Sequence, residues 1–299
     1  MTLRVTHGML QRNILADLNA STARIARTQS QMASGLQRAK PSDDPVGAAR
    51  SLRLTSALEG VKQLQANVAD GQSWTDAAET SMSALTDVVA RARNLLIQGA
   101  GDNTDQAARN AIALEMDQLA EAAKDQANTS LAGRYVFGGT RTDAAPYTAG
   151  TGDAYQGDTG TVAREIGQGV SVTVNVNAVD LMGSGGTDGK LLSVLRDIAT
   201  HLRSGDGASL RSTDLVKLDQ SRDTVLEARA SNGALARRLE ASGDQLIAFQ
   251  EQTTKALGLV DSADYATVSI EFATGSAAYQ AALKAGASIV QASLMDFLS

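Results

Sequence analysis

The chain has 299 residues, 43% of them hydrophobic but only 3% aromatic, with no cysteine and a net charge of −6. It is long enough to bury real cores, and with so few rings it must build them from Leu, Val, Ile and Ala, whose small size lets helix axes approach closely. The missing cysteines exclude disulfides and thiolate metal sites, and the negative balance disfavours a general nucleic-acid binder.

Residues 8–36 read as a helix. Leu18, Ile25 and Met32 recur every seven residues, interleaved with Ile14, Ser21 and Thr28. The stripe is narrow and weakly apolar, so this helix needs a partner. Lys40 to Pro45 holds two of the three prolines and breaks it, with Asp44 placed to cap a helix whose first residue is Pro45. Two interlocked heptad series follow. Leu54, Val61, Val68, Thr75, Met82, Val89 and Leu96 form one, and Ala57, Leu64, Gly71, Ala78, Leu85, Ala92 and Gly99 form the other. Such a seam specifies a helix roughly 70 Å long lying closely against another. Asn103 with Gln106 offers a capping-box-like start for the next helix, whose apolar face is Ile112, Met116, Leu119, Ala123 and Ala127. The expectation is a hairpin of 46–99 against 104–131.

From Gly138 to Gly189 glycine becomes frequent, and Val170, Val172, Val174 and Val176 alternate with polar residues, as in a strand with one buried face. Helix returns at 190–203 through Leu191, Val194, Leu195, Ile198 and Leu202. A second rod spans about 210–260. One heptad series there is Leu218, Val225, Asn232, Leu239, Leu246, Thr253 and Val260, and the other is Ser221, Ala228, Leu235, Ser242, Phe249 and Ala256. Asn232 at a core position is placed to fix the register of the two rods. A last helix, about 263–298, sets Val268, Phe272, Tyr279, Ala282 and Ile289 on one side.

The plan is symmetric about its middle, so the fold class is mainly α, with long antiparallel helical rods formed by the N- and C-terminal regions. Three domains are expected. Residues 1–40 with 262–299 form a terminal coiled coil, 41–137 with 190–261 a helical rod, and 138–189 a small β-rich insert. The first forty residues are basic and the last forty acidic, so the two ends attract each other weakly. Their stripes are expected to pack against neighbouring subunits as well as each other.

Chemistry is sparsely represented. His7 and His201 are the only histidines, and no HExxH occurs. Gly183 to Lys190 sits where a phosphate loop would, but Ser184 and Leu191 break the required pattern, and a turn is the better reading. Asp153 and Asp158 make at most a weak calcium cage, and Asp43–Asp44 reads as capping. No metal, cofactor or catalytic residue is expected. No apolar run reaches the length of a membrane span, and the N-terminus lacks the apolar core of a cleaved signal. The chain is expected to be cytosolic, or exported by a route that reads no such signal.

Several short motifs, in order, carry a resemblance. Arg4-Val-Thr6, Ser34-Gly35-Leu36, Ser42-Asp-Asp-Pro45-Val-Gly47, Arg109 to Leu119 and Gly133-Arg-Tyr-Val-Phe-Gly-Gly-Thr140 resemble the N-terminal region of the flagellin superfamily. Ala278-Tyr279-Gln280-Ala281-Ala282-Leu283 and Ser293 to Leu298 resemble its C-terminal region. Within the superfamily the match is to its hook-associated branch. The sequence departs from the pattern at Leu36, Trp74 and Ala273 to Ser276.

The resemblance implies a tubular, non-enzymatic axial protein in a ring of like subunits. It would join hook-associated protein 1 (FlgK) to flagellin, and be exported without cleavage through the flagellar type III channel to the cell exterior. Ile14, Leu18, Ile25, Met32, Val268, Phe272, Tyr279 and Ile289 would then carry subunit packing. Leu283, Ile289, Leu294, Met295, Phe297 and Leu298 would lie under a cytosolic export chaperone. Three rivals remain open: a minor flagellin, a cytosolic coiled-coil scaffold and an enzyme.

Overall fold

The computed structural model describes residues 7–38, 40–150 and 152–298, without the side chains at 7, 8, 10, 11 and 288–298. The elements in order are α1 (His7–Ser34), α2 (Pro45–Gly99), α3 (Gln106–Ala127), β1 (Ser130–Leu131), β2 (Arg134–Tyr135), β3 (Ala163–Gly167) and β4 (Val170–Thr173). They continue with α4 (Ala178–Met182), α5 (Leu191–Ser204), α6 (Gly207–Ser209), α7 (Leu215–Asp261) and α8 (Tyr265–Leu298). The chain divides into two compact units, residues 1–60 with 249–299, and residues 61–248.

In the first unit α1 and α8 run antiparallel. A methyl of Ile14 lies 3.3 Å from where a Cβ on Gly286 would sit, and Ile25 stands in the same relation to Gly275 at 3.6 Å. A Cβ at Gly286 would press on Ile14, whereas one at Gly275 would meet Ile25 at ordinary contact distance. On α1 the covered positions are Ile14, Leu18, Ser21, Ile25, Thr28 and Met32. On α8 they are Val268, Phe272, Gly275, Tyr279, Ala282 and Gly286. Both series step by four and three, the spacing of a two-stranded seam. Thr28 is tolerated there because its hydroxyl bonds the Ile25 carbonyl of its own helix at 3.0 Å.

Between α1 and α2 the chain turns at Gly35, whose φ of +71° is open to glycine at no steric cost. Its N–H closes the helix on Gln31 O at 2.8 Å. Leu36 then bridges Ser262 in antiparallel fashion, with Gln37 N donating to Asp261 O at 2.7 Å and Ala263 N to Gly35 O at 2.9 Å. The Arg38 guanidinium pairs with both Asp44 and Asp261, and Ser51 Oγ donates to Asp261 Oδ2 at 2.6 Å. Asp44 caps α2 as expected, accepting from Gly47 N at 2.9 Å.

The second unit holds the large core. Along 61–99 both heptad series of α2 are covered, and a third stripe, Trp74, Ser81 and Leu95, is buried as well. Two partners explain the extra stripe. On α7, Arg229 pairs with Glu79, Arg93 with Asp219, and Asn232 Nδ2 donates to Thr75 O at 2.9 Å. On the other side, Arg91 of α2 pairs with Glu115 of α3, and Ser81 Oγ donates to Thr129 at 2.7 Å. The two polar positions within the heptads, Thr75 and Asn232, thus meet across an antiparallel pair of rods. In the other unit Phe249, read as a core position, is 49% exposed, because a two-helix seam covers one side of a phenyl ring only.

The cap of α3 differs from expectation. Asp105, not Asn103, caps the helix, accepting from Ala108 N at 2.7 Å. The Gln106 side chain instead donates to the carbonyls of Leu202 and Arg203 at the end of α5. Both choices satisfy helix-end groups that would otherwise lack partners. α5 is the most enclosed element, with Leu191, Leu192, Val194, Leu195, Ile198, Ala199 and Leu202 inaccessible.

Strand content is small. β1 and β2 form a two-residue hairpin across Ala132 (φ 50°) and Gly133 (φ 78°), a turn with two positive φ angles that matches strand twist. β3 and β4 form a second antiparallel pair with a bulge at Glu165 to Gly167. β4 stops at Thr173, so the expected valine strand is shorter than its alternation. Val174 remains buried, its N–H donating to Val162 O at 2.9 Å.

Candidate assembly surfaces and polar clusters

Apolar side chains that a folded monomer leaves in water are the first candidates for a binding surface. In the first unit these are Leu15 (61% exposed), Ile270 (65%) and Leu283 (44%) on the α1–α8 pair, with Val46, Leu52 and Leu259 on the rod ends. The sequence-derived assembly residues lie mostly elsewhere. Ile14, Leu18, Ile25, Met32, Val268, Phe272 and Tyr279 form the seam between α1 and α8 within one chain. Ile289, and Leu294, Met295, Phe297 and Leu298, lie outside the described side chains. Leu15 and Ile270 lie outside the seam series, one residue after Ile14 and midway between Val268 and Phe272.

The polar clusters of the second unit turn inward. In the loop from Gly183 to Lys190, Asp188 accepts from Ser184 N at 2.8 Å, Lys190 N at 3.0 Å and Ser193 Oγ at 3.1 Å. Burial raises the Asp188 carboxyl, but these donors outweigh it and lower it below its ordinary value. The loop is filled by its own anion. Asp158 does the same for the turn at Thr140, accepting from Thr140 N at 2.7 Å and Gly160 N at 2.8 Å.

Asp153 faces cations, not a cation-binding partner. It pairs with Arg196 and with Lys124, each at 3.0 Å. Arg196 also reaches Asp117 at 2.9 Å and Glu121 at 2.6 Å, while Arg203 closes on Asp117. Burial pushes Asp153 up, yet Arg196 and Lys124 hold it below the usual carboxylate value, and Asp117 and Glu121 behave alike.

His201 Nδ1 lies 2.7 Å from Asp214 Oδ2 at the end of a π-helical turn, Leu210–Asp214. Burial raises the Asp214 carboxyl. The pair ties α5 to the start of α7. A hollow of about 260 Å³ is lined by Leu96, Ile97, Ala100, Leu210 and Leu215. Its one charged side chain, Arg211, is engaged by the Ala100 carbonyl and by Asp102, which leaves the hollow no group for proton transfer. Among the described residues no group of three or more His, Asp or Glu is arranged to hold a metal, and no helix is long and apolar enough to cross a membrane.

Residues 5–142 match the bacterial flagellin N-terminal helical region. The flagellin of Bacillus subtilis (strain 168) is 23% identical over 280 residues, 90% of each chain. Flagellar hook-associated protein 3 of Salmonella typhimurium is 23% identical over 218 residues, covering 73% of this chain and 65% of that one. This chain spans only 33% of another relative, a flagellin of Clostridium tyrobutyricum. The fold is shared with flagellar hook-associated protein 3 from Legionella pneumophila. There the TM-score is 0.62 at 14% identity, covering 69% of this chain and 98% of the other.

Proposed function

We propose that this chain, similar over residues 5–142 to the bacterial flagellin N-terminal helical region, is a structural component of the bacterial flagellum and stands at the junction between hook and filament. It would join hook-associated protein 1 to flagellin, act without catalysis, and reach the cell exterior through the flagellar type III channel under a cytosolic chaperone. The terminal coiled coil, 1–40 with 262–299, would line the inner wall. The rod domain would form the next layer, and residues 138–189 the outer surface.

The observation that carries the reading is the α1–α8 pair. It buries one seam and leaves Leu15, Ile270 and Leu283 in water, where neighbouring copies would cover them. The junction position itself is supported by relatives that carry the name hook-associated protein 3. Deleting the gene tests it. The expected result is cells with hooks, no filaments, and flagellin shed into the medium; normal filaments overturn it.

A minor flagellin is the second reading, favoured by the match along 90% of the Bacillus subtilis flagellin. Mixing purified protein with filament seeds separates the two, since extended self-polymers belong to the flagellin reading alone.

A further inference from the structure

Lys124 is 1% exposed, although a lysine ammonium is among the costliest groups to remove from water. Five oxygens surround its Nζ. The carbonyls of Thr148, Gly150 and Gly152 lie at 3.3, 2.5 and 3.4 Å, and carboxylate oxygens of Glu121 and Asp153 each at 3.0 Å. Alternate carbonyls of one loop with flanking carboxylates is the donor set that proteins use for hard cations. The loop also carries its own constraints. Gly150 adopts φ +98° and its N–H donates to Glu121 Oε2 at 3.0 Å.

From this geometry we infer that Thr148, Gly150, Gly152 and Asp153 with Glu121 form a cradle for a monovalent cation the size of ammonium, which Lys124 fills from within the chain. Charge and distance both select that class of ion. Asp117, Glu121 and Asp153 are balanced by Arg196, Arg203 and Lys124, so removing the lysine leaves one negative charge to compensate. Calcium takes its oxygens at about 2.3–2.6 Å, and four of the five partners here stand at 3.0 Å or beyond. The aspartate at 153 therefore belongs to a cation site, one whose cation is covalently attached. This does not depend on where in the flagellum the protein stands.

The test melts full-length Lys124→Ala in choline, potassium, ammonium and calcium chlorides at equal ionic strength. In choline the variant loses about 10 °C, the size expected when a buried charge pair loses one partner. Ammonium or potassium restores about 4 °C at tenfold excess over its Kd, and the effect saturates. Lys124→Met, which fills the space without charge, and the unaltered chain respond to no salt in that selective way. The inference is overturned if Lys124→Ala melts alike in all four salts or unfolds in all of them. Equal rescue of Lys124→Met, or stronger rescue by calcium than by ammonium, overturns it too. Folding of Lys124→Ala in ammonium or potassium alone supports it.

Discussion

Ile25 and Leu195 are both aliphatic residues at helical core spacing, yet Ile25 is only partly buried while Leu195 is fully enclosed. The difference is the number of partners. In the first unit α1 meets α8 along one line, and small residues at Gly275 and Gly286 bring the axes close without widening the covered stripe. In the second unit α2 has α7 on one side and α3 on another, so three stripes of one helix are buried. A helix with one neighbour hides two positions in seven. Each further neighbour adds a stripe, and with it the cooperativity that two helices lack.

The comparison can be broken most forcefully in the larger core. Leu195→Ala should destabilise the second unit by about 3 kcal/mol, read from denaturant midpoints at constant slope. Ile25→Ala should cost about 1 kcal/mol, because only part of that side chain leaves water on folding. In the isolated protein, amides of α1 and α8 should then exchange hydrogen well before those of α5. Equal protection of the two regions would remove the distinction.

Acid sharpens it next. Asp117, Glu121 and Asp153 lie below their ordinary values of 3.8, 4.5 and 3.8 in the folded chain. Their contribution is complete above those unfolded values and is lost as pH falls through the depressed folded ones. Melting temperature should therefore drop as pH falls below about 4.5, and Arg196→Gln should flatten that drop. An unchanged slope in this variant would mean that the network contributes nothing.

For the exposed face, Leu15→Asp and Ile270→Asp should leave the monomer's melting temperature within about 2 °C of the parent yet stop assembly in cells. Ile25→Asp, inside the seam, should instead unfold the α1–α8 pair. Normal motility in the first two variants would show that those side chains meet no partner. A change of the opposite sign belongs to Asn232, whose Oδ1 is buried without a hydrogen-bond partner. Asn232→Leu should raise stability by about 1 kcal/mol, seen as a modest upward shift in melting temperature.

Much of this was legible beforehand. The heptads of α2 predicted its buried positions from 61 to 99, and Leu18, Ile25 and Met32 with Ile14, Ser21 and Thr28 are the covered face of α1. Asp44 before Pro45 gave the start of α2. The Asn103 cap was misread because Asp105 offers the same chemistry two residues later, and local pattern cannot rank adjacent caps. Trp74, where the sequence departs from the family pattern, is core, since a third stripe is visible only when a second partner is known.

Periodicity is a property of one helix, and the sequence alone therefore determined the heptad positions that α2 buries, the covered face of α1 and the start of α2 at Pro45. Partnership is a property of two segments that no local pattern links. Only the tertiary structure decided that Thr75 meets Asn232, that Lys124 answers Glu121 and Asp153, and that Ile14 rests on Gly286. The reason is physical. Burial free energy is nearly indifferent to which apolar neighbour supplies it, whereas hydrogen bonds, ion pairs and close glycine contacts depend on geometry that exists only after the chain has closed.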